Sequence, residues 1–275
     1  RGLMMRIDYI SDLHIDAWVD VGVVSDVAQF CDALLPDDIG DILIIAGDIG
    51  NKNDTNKAVL LHFKSIYKHV IFVAGNHDMF LVSRKEQEKY SFNSLTKLFE
   101  IRIFCNKNGI HYLDGETVDI DGIKFGGVSM YWDSSYYKKI NGVSPYDDEI
   151  IALFNDIMHD SKYLFAPDAL KQIQFDPISY FKSEYEKLKQ MDSCDVMISH
   201  FSPTIPPEKD YKKNPALTFF YFSGEEEISR INPKYWVFGH THRHHSFNHG
   251  QTQLLCNPLG YPGENPEFKM ISFNI

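Results

Sequence analysis

Cysteine is scarce in this chain of 275 residues, and its four cysteines are widely separated. No two of them form a Cys-x-x-Cys pair, so the sequence supports neither a thiolate zinc site nor a dense disulfide framework. We therefore expect buried free thiols in a reducing compartment. The four residues are Cys31, Cys105, Cys194 and Cys256.

Long apolar segments are also missing. No run approaches the ~18 consecutive apolar residues of a membrane-spanning helix. Residues 1–5 contain no apolar region of the kind found in a signal peptide. Together these two features predict a soluble, cytoplasmic protein that has no membrane partner.

Positive charge is in deficit, because 27 Lys and Arg oppose 38 Asp and Glu and leave a formal net charge of -11. This balance argues against an extended contact with nucleic acid, although it does not exclude a local basic patch. Metal ligands would explain part of the acidic excess, since a sequence count treats them as bare charges. The oligomeric state has no indicator in the sequence.

Hydrophobic residues make up 44% of the chain, enough for the core of one large domain spanning 4–275. Short β-rich apolar runs that end in polar residues predict buried strands. Two helical patterns separate the first three runs, one from about Val24 and one after a Thr55 cap, which predicts a parallel α/β beginning. The predicted strands cover residues 5–10, 42–46, 70–74, 196–199 and 235–238.

A hairpin is predicted where Asp121-Gly122 separates the strand-like residues 117–120 and 123–129. An antiparallel pair at this point would make the sheet mixed.

The stretch 131–190 departs from this rhythm of strands and helices, and it is rich in aromatic residues. It contains helical patterns at residues 150–157 and 178–188, the second with Asp176 as cap and Pro177 as first helical residue. We interpret the stretch as an insertion packed at one side of the sheets. Tyr131 and Trp132, at its beginning, are candidates for the wall of a substrate pocket.

Five polar clusters stand where predicted strands end, and open α/β sheets bind ligands at the carboxyl ends of their strands. Each cluster alone is weak evidence, since a strand-end His is more often a hydrogen-bonded surface residue. Together they supply two Asp, one Asn and four His ligands, which suit Mn, Fe, Zn or Ni. The clusters are Asp12-Leu13-His14, Gly47-Asp48, Gly75-Asn76-His77-Asp78, Ser199-His200 and Gly239-His240-Thr241-His242.

The order and content of these clusters closely resemble the calcineurin-like metallophosphoesterase superfamily. The resemblance implies two facing mixed β-sheets flanked by helices, an αββα sandwich with the metals at one end. It also implies two divalent metal ions, with Mn2+ as the first choice and Fe, Zn or Ni as alternatives. The implied ligands are Asp12, His14 and His242 for the first metal, Asn76, His200 and His240 for the second, and Asp48 between them.

The resemblance further implies hydrolysis of a phosphate ester by a hydroxide that bridges the two metals. Asn76, as a neutral ligand, keeps the site from becoming too negative for an anionic substrate. His77 is not a ligand in the family pattern and is expected beside the phosphate, as is Asn76. Its imidazolium would protonate the leaving oxygen, oriented by the Asp78 carboxylate.

The substrate class depends on the residues after Asp48. Phosphoprotein phosphatases of the superfamily continue with Val-Asp-Arg-Gly, whereas this chain continues with Ile49-Gly50-Asn51. The missing arginine disfavours a protein phosphatase. The forms Ser11-Asp12-Leu13-His14 and Asn76-His77-Asp78 resemble the branch of small bacterial and phage-type phosphodiesterases, which implies a phosphodiesterase that acts on a nucleotide-type or other small diester. A phosphomonoesterase and a nuclease of the same superfamily are the alternative functions. A non-catalytic scaffold, like the retromer subunit that lacks the full ligand set, is disfavoured because every ligand position is intact.

Overall fold

Two β-sheets with helices on their outer faces make up the computed structural model, which describes residues 4–19, 26–141, 147–166, 174–207 and 214–275. The strands are β1 (Arg6–Ile10), β2 (Ile42–Ala46), β3 (His69–Val73), β4 (His111–Tyr112), β5 (Glu116–Ile120), β6 (Ile123–Gly127), β7 (Val196–Ile198), β8 (Tyr235–Phe238), β9 (His245–His249), β10 (Thr252–Cys256) and β11 (Ile271–Asn274).

The helices within these residues are α1 (Ile15–Val19), α2 (Val27–Leu34), α3 (Asn53–Ile66), α4 (Arg84–Lys89), α5 (Ser94–Lys107), α6 (Ser135–Asn141), α7 (Asp147–Ile157), α8 (Asp160–Tyr163), α9 (Pro177–Gln190) and α10 (Glu225–Ile231). Short 3-10 helices form at His77–Met79 and Pro215–Phe220. No helix in the described part of the chain has both the length and the apolar character needed to cross a bilayer.

Both sheets are mixed, as the sequence predicts. The first has the strand order β11-β1-β2-β3-β4, in which only β11 runs antiparallel to its neighbour. The second has the order β5-β6-β7-β8-β10-β9, with antiparallel pairs at its two edges. The parallel strands β1, β2 and β3 therefore end at one edge of the first sheet, and β7 and β8 end together in the second.

The sheets face each other across an apolar layer, and alternation along the strands decides which side chains enter it. In β2, Ile42, Ile44 and Ala46 belong to the layer between the sheets, together with Val196 and Val237 of the second sheet. The alternate residues Leu43 and Ile45 face the helices instead. Burial on both faces explains why β2 is an unbroken apolar run.

The observed strands agree with the predicted ones to within one or two residues at each end. The predicted hairpin is present, with both Asp121 (φ 51°) and Gly122 (φ 87°) in the left-handed region that such two-residue turns require. Thr55 is not a cap, because α3 already begins at Asn53. Val24 lies outside the described residues.

The stretch 131–190 contains both predicted helices, as α7 and α9, and in addition α6 and α8. The Asp176 side chain accepts a hydrogen bond from the amide of Ile178 at 3.0 Å, which confirms it as the cap of α9. Leu188 and Met191 join the core on the outer face of the second sheet. Residues 142–146 and 167–173 lie outside the described residues, and the division into one domain with an insertion stays a prediction.

Candidate metal centre

All seven predicted ligand side chains meet at one end of the two sheets. Five strands deliver them, because each cluster directly follows β1, β2, β3, β7 or β8. Six of the side chains are at most 5% exposed, and that of His242 is 22% exposed. The seven predicted ligands are Asp12, His14, Asp48, Asn76, His200, His240 and His242.

The donor atoms of these side chains form overlapping groups, each with its atoms within 4.8 Å of one another. One group joins Asp12, His14 and His242, and a second joins Asp48, His200 and His240. A third connects the other two, since it contains His14, Asp48 and His77. The Oδ1 atom of Asn76 lies 3.1 Å from Nε2 of His200 and thus beside the second group.

Five of the seven residues have a left-handed backbone conformation, which residues other than glycine rarely adopt. Such conformations cost of order 1–3 kcal/mol each and persist only where the surroundings enforce them. Here the amide of His14 donates to the Asp48 carbonyl at 3.1 Å, and that of His240 donates to the Asp12 carboxylate at 3.0 Å. The five residues are Asp12, His14, Asp48, His240 and His242.

Two glycines of the clusters are needed for close approach. A Cβ atom on Gly75 would collide with the Asp48 carboxylate, and one on Gly47 would collide with the His200 imidazole. The spacing of the donor atoms therefore depends on glycine at both positions.

Hydrogen bonds fix which nitrogen each imidazole presents. His200 donates from Nδ1 to the Ala46 carbonyl at 2.8 Å, and His240 donates from Nε2 to the Phe219 carbonyl at 3.1 Å. His242 donates from Nδ1 to the Glu264 carboxylate at 2.7 Å. In each case the opposite nitrogen remains for a metal, the arrangement that metal-binding histidines usually have. The sequence does not predict this role for Glu264, because no local pattern connects it with His242.

The environment of His77 corrects the role predicted for Asp78. The Nδ1 atom of His77 lies 3.0 Å from Oδ1 of Asn51, so a neutral amide orients the imidazole. Asp78 is turned inward by its 3-10 turn, and its carboxylate accepts from the amides of Asp48 (2.8 Å), Ile49 (3.0 Å) and Gly75 (2.7 Å). Asp78 therefore ties the loops after β2 and β3 together and does not orient His77.

Tyr131 and Trp132 are buried, which contradicts their predicted place in a substrate pocket wall. Tyr131 is completely buried, and its hydroxyl donates to Asp160 Oδ2 at 2.6 Å. Trp132 is 2% exposed, with its ring 4.7 Å from that of Phe219. Both rings belong to the hydrophobic core, which leaves little or no surface of either for a substrate.

Tyr261 is a further aromatic residue at the centre. Its ring stacks on His14 with centroids 4.4 Å apart and lies 5.3 Å from that of His242. It is 37% exposed, so it borders the opening of the site.

The electrostatics of the centre favour a cation. Burial, helped by neighbouring imidazoles, holds the pKa values of His14 and His240 well below the usual range, so both offer free lone pairs. Burial also disfavours a charge on His200, yet the Asp48 carboxylate at 3.2 Å raises its pKa to about 9. Positive charge is thus drawn to the space beside Asp48.

A metal fits this donor set. The Oδ2 atom of Asp48 is buried and faces imidazole nitrogens, with Nε2 of His200 at 3.2 Å, but it forms no hydrogen bond of good geometry within the described residues, an arrangement that a bound cation would compensate. It lies 3.7 Å from Nε2 of His14, whose ring nitrogen is itself 2.9 Å from that of His242. Carboxylate, amide and imidazole donors without thiolates suit divalent first-row metals.

Comparisons with known proteins bear on the fold and the family of the chain. The chain is 23% identical over 281 residues to the uncharacterized protein L509 of Acanthamoeba polyphaga mimivirus, covering 98% of this chain and 96% of that protein. Its fold is similar to that of phosphopantetheinyl hydrolase from Mycobacterium tuberculosis, with a TM-score of 0.75 and 18% identity over 98% of this chain and 97% of that one. The profile of the calcineurin-like phosphoesterases matches residues 5–244, and the chain therefore belongs to the calcineurin-like phosphoesterase family.

Proposed function

We propose that the chain is a binuclear metal-dependent phosphoesterase in which Asp48 is shared by two metal ions. The overlap of the donor groups carries this proposal, because Asp48 belongs both to the group with His14 and to the group with His200 and His240. Mn2+ is the first choice for both positions. The proposed ligands are Asp12, His14, Asp48 and His242 for one ion and Asp48, Asn76, His200 and His240 for the other.

When bound, such a metal pair polarises the phosphate oxygens and makes a water acidic enough to attack at neutral pH. The chain contributes a rigid donor set, because the strained backbone and the hydrogen bonds of the imidazoles fix each donor atom before substrate arrives. Asn76 supplies a neutral oxygen among the carboxylates. It thereby limits the negative charge that an anionic substrate meets.

His77 is the proposed proton donor to the leaving oxygen. Its Nδ1–H donates to Asn51, so Nε2 is the atom that can carry a proton towards the substrate. Burial lowers the pKa of His77 to about 4, and the negative charge of a bound phosphate ester raises it again. A protonated His77 would give its proton to the leaving oxygen.

A phosphodiester is the proposed substrate class. The loop after Asp48 has Ile49-Gly50-Asn51 in place of the arginine-containing sequence of phosphoprotein phosphatases, and a diester has one charge fewer to neutralise. The similar protein from Mycobacterium tuberculosis is named as a hydrolase of a phosphopantetheinyl group, which makes such an ester a useful member of a substrate panel. A phosphomonoesterase or a nuclease is the alternative. The complete donor set argues against a non-catalytic scaffold.

The test is turnover by the full chain loaded with Mn2+, with kcat/KM measured for mono- and diesters of one leaving group. We expect two ions per chain, loss of turnover on chelation, and a preference for the diester. Retained turnover after exhaustive metal removal would contradict the metal mechanism, and a tenfold preference for the monoester would contradict the diester assignment. Asp48→Ala serves as the inactive control, because it removes the shared carboxylate.

A further inference from the structure

A buried carboxylate outside the five sequence clusters contacts one of the proposed ligands. Asp160 is the first residue of α8, within the stretch 131–190, and is 2% exposed. Its Oδ1 accepts from Nδ2 of Asn76 at 2.9 Å, and its Oδ2 accepts from the Tyr131 hydroxyl at 2.6 Å. All three side chains are shielded from water, so the two hydrogen bonds have no solvent competitor.

The hydrogen bond from Asn76 decides which end of its amide faces the centre. Only Oδ1 of an asparagine can bind a metal, whereas Nδ2 carries two hydrogens and can only donate. An ionised carboxylate only accepts, so Asp160 holds Nδ2 on its own side. Oδ1 is thereby left 3.1 Å from Nε2 of His200, beside the second donor group. A rotated amide would bring two oxygens together in a buried place.

Tyr131 fixes the carboxylate in turn. Its ring is completely buried and packs 4.8 Å from that of Phe201, so the hydroxyl has a fixed position. By donating to Oδ2, it leaves Oδ1 of Asp160 for Asn76. The carbonyl of Asp160 also accepts from the amide of Leu164 at 2.9 Å, which anchors the residue in the first turn of its helix.

We propose that Asp160, held by Tyr131, is a positioning residue that keeps the Asn76 oxygen directed at the second metal. The stretch 131–190 thereby completes a metal site whose ligands all lie outside it. The negative charge on Asp160 also polarises the amide and strengthens its oxygen as a donor, as partners of metal ligands commonly do. The proposal rests on the two-metal function proposed above.

The test measures Mn2+ binding to the full chain by titration calorimetry, with the metal content determined after desalting. Asp160→Leu removes both acceptors at similar size, Asp160→Asn keeps an acceptor for Asn76, and Tyr131→Phe removes only the second hydrogen bond. Glu184→Gln is the matched control. Glu184 is another buried carboxylate of the same stretch, and it is hydrogen-bonded to Lys187 rather than to a ligand.

For Asp160→Leu we expect one Mn2+ site to weaken by about 10- to 100-fold, the usual effect of removing such a partner, while the other site changes little. Asp160→Asn should restore most of the loss, and Glu184→Gln should bind both ions like the wild type. Tyr131→Phe should weaken the same single site. If Asp160→Leu does not fold, this variant tests the positioning role in its place.

The outcomes separate the two proposals. A wild-type chain that binds fewer than two Mn2+ ions would defeat the binuclear function itself. If the wild type binds two ions and the variants of Asp160 and Tyr131 bind them equally well, the positioning role is wrong. Equal weakening of both sites, without rescue by Asp160→Asn, would also overturn it, because a general structural defect acts on both ions.

Discussion

The Nδ1 atom of His77 lies 3.0 Å from Oδ1 of Asn51, and a buried lysine holds the two loops that carry these residues. Lys97 donates to the carbonyl of Asn51 and, at 2.6 Å, to that of Phe80. The orientation of the proposed proton donor therefore depends on a neutral amide, and the carboxylate of Asp78 has no part in it.

His77→Gln should keep both metal ions and lower kcat by the ~10²–10⁴-fold typical of general acid catalysis. The loss should shrink for p-nitrophenyl esters, whose leaving group hardly needs a proton. The double variant Asn51→Ala/His77→Gln should have a kcat only slightly below that of His77→Gln, because Asn51 acts through the imidazole. Fully additive losses, or equal losses for good and poor leaving groups, would contradict the acid role.

Glu264→Gln should weaken Mn2+ binding at the site that contains His242, since it replaces the carboxylate that accepts from Nδ1 of that ring. Glu264 is 40% exposed, so the effect belongs at the lower end of the about 10- to 100-fold range for such partners. Calorimetric titration measures it, and the exposed neighbour Glu267 provides Glu267→Gln as the control. Identical affinities for both variants would refute this role.

Trp132→Ala should act on stability rather than on substrate binding, because the side chain is 2% exposed among aromatic rings. Removing a buried tryptophan costs about 3–5 kcal/mol of unfolding free energy. Urea unfolding measures this loss, and KM for a nucleotide diester should stay that of the wild type. A raised KM with unchanged stability would restore the pocket-wall role.

Glu184 gives the protein a pH-dependent stability. Burial, helped by the charge of Asp114, raises its pKa from the usual 4.5 to about 7, so the folded state binds a proton more tightly than the unfolded one. The resulting stability is present below about pH 4.5 and disappears as the pH rises through about 7.

Glu184→Gln should remove this dependence, which amounts to at most about 3 kcal/mol. Urea unfolding at pH 5 and pH 8, in the presence of chelator, compares the two proteins. The wild type should lose stability relative to the variant as the pH rises. Parallel profiles would mean that Lys187 already compensates the charge.

The sequence was sufficient for the parts of the centre that follow strands directly. Asp12, Asp48 and Asn76 stand next to apolar runs, and parallel strands deliver their ends to one edge, so local patterning determines where these residues meet. The mixed sheets were also predictable, because the hairpin depends on two adjacent residues, Asp121 and Gly122.

Partners that approach from distant parts of the chain were not predictable. Asp160 lies 84 residues from Asn76, and Glu264 lies 22 residues from His242, without any local pattern that connects them. The prediction that Asp78 orients His77 was wrong because it relied on their being neighbours in sequence. The Asp78 side chain points to the opposite, buried side of a 3-10 turn. The prediction of a pocket wall was wrong because it relied on composition, and aromatic residues such as Trp132 occur both in pocket walls and in cores.

The donor groups span both sheets, with Asp12 and Asp48 following strands of the first and His200, His240 and His242 following strands of the second. A metal bound to either group would thus act as a cross-link between two layers that are otherwise joined by apolar contacts and a few hydrogen bonds. The stability of the fold then depends on the concentration of free metal. Above the dissociation constant, each tenfold rise in free metal adds about 1.4 kcal/mol per site to the unfolding free energy. The abundance of the folded enzyme in a cell would follow the availability of the ion that it uses.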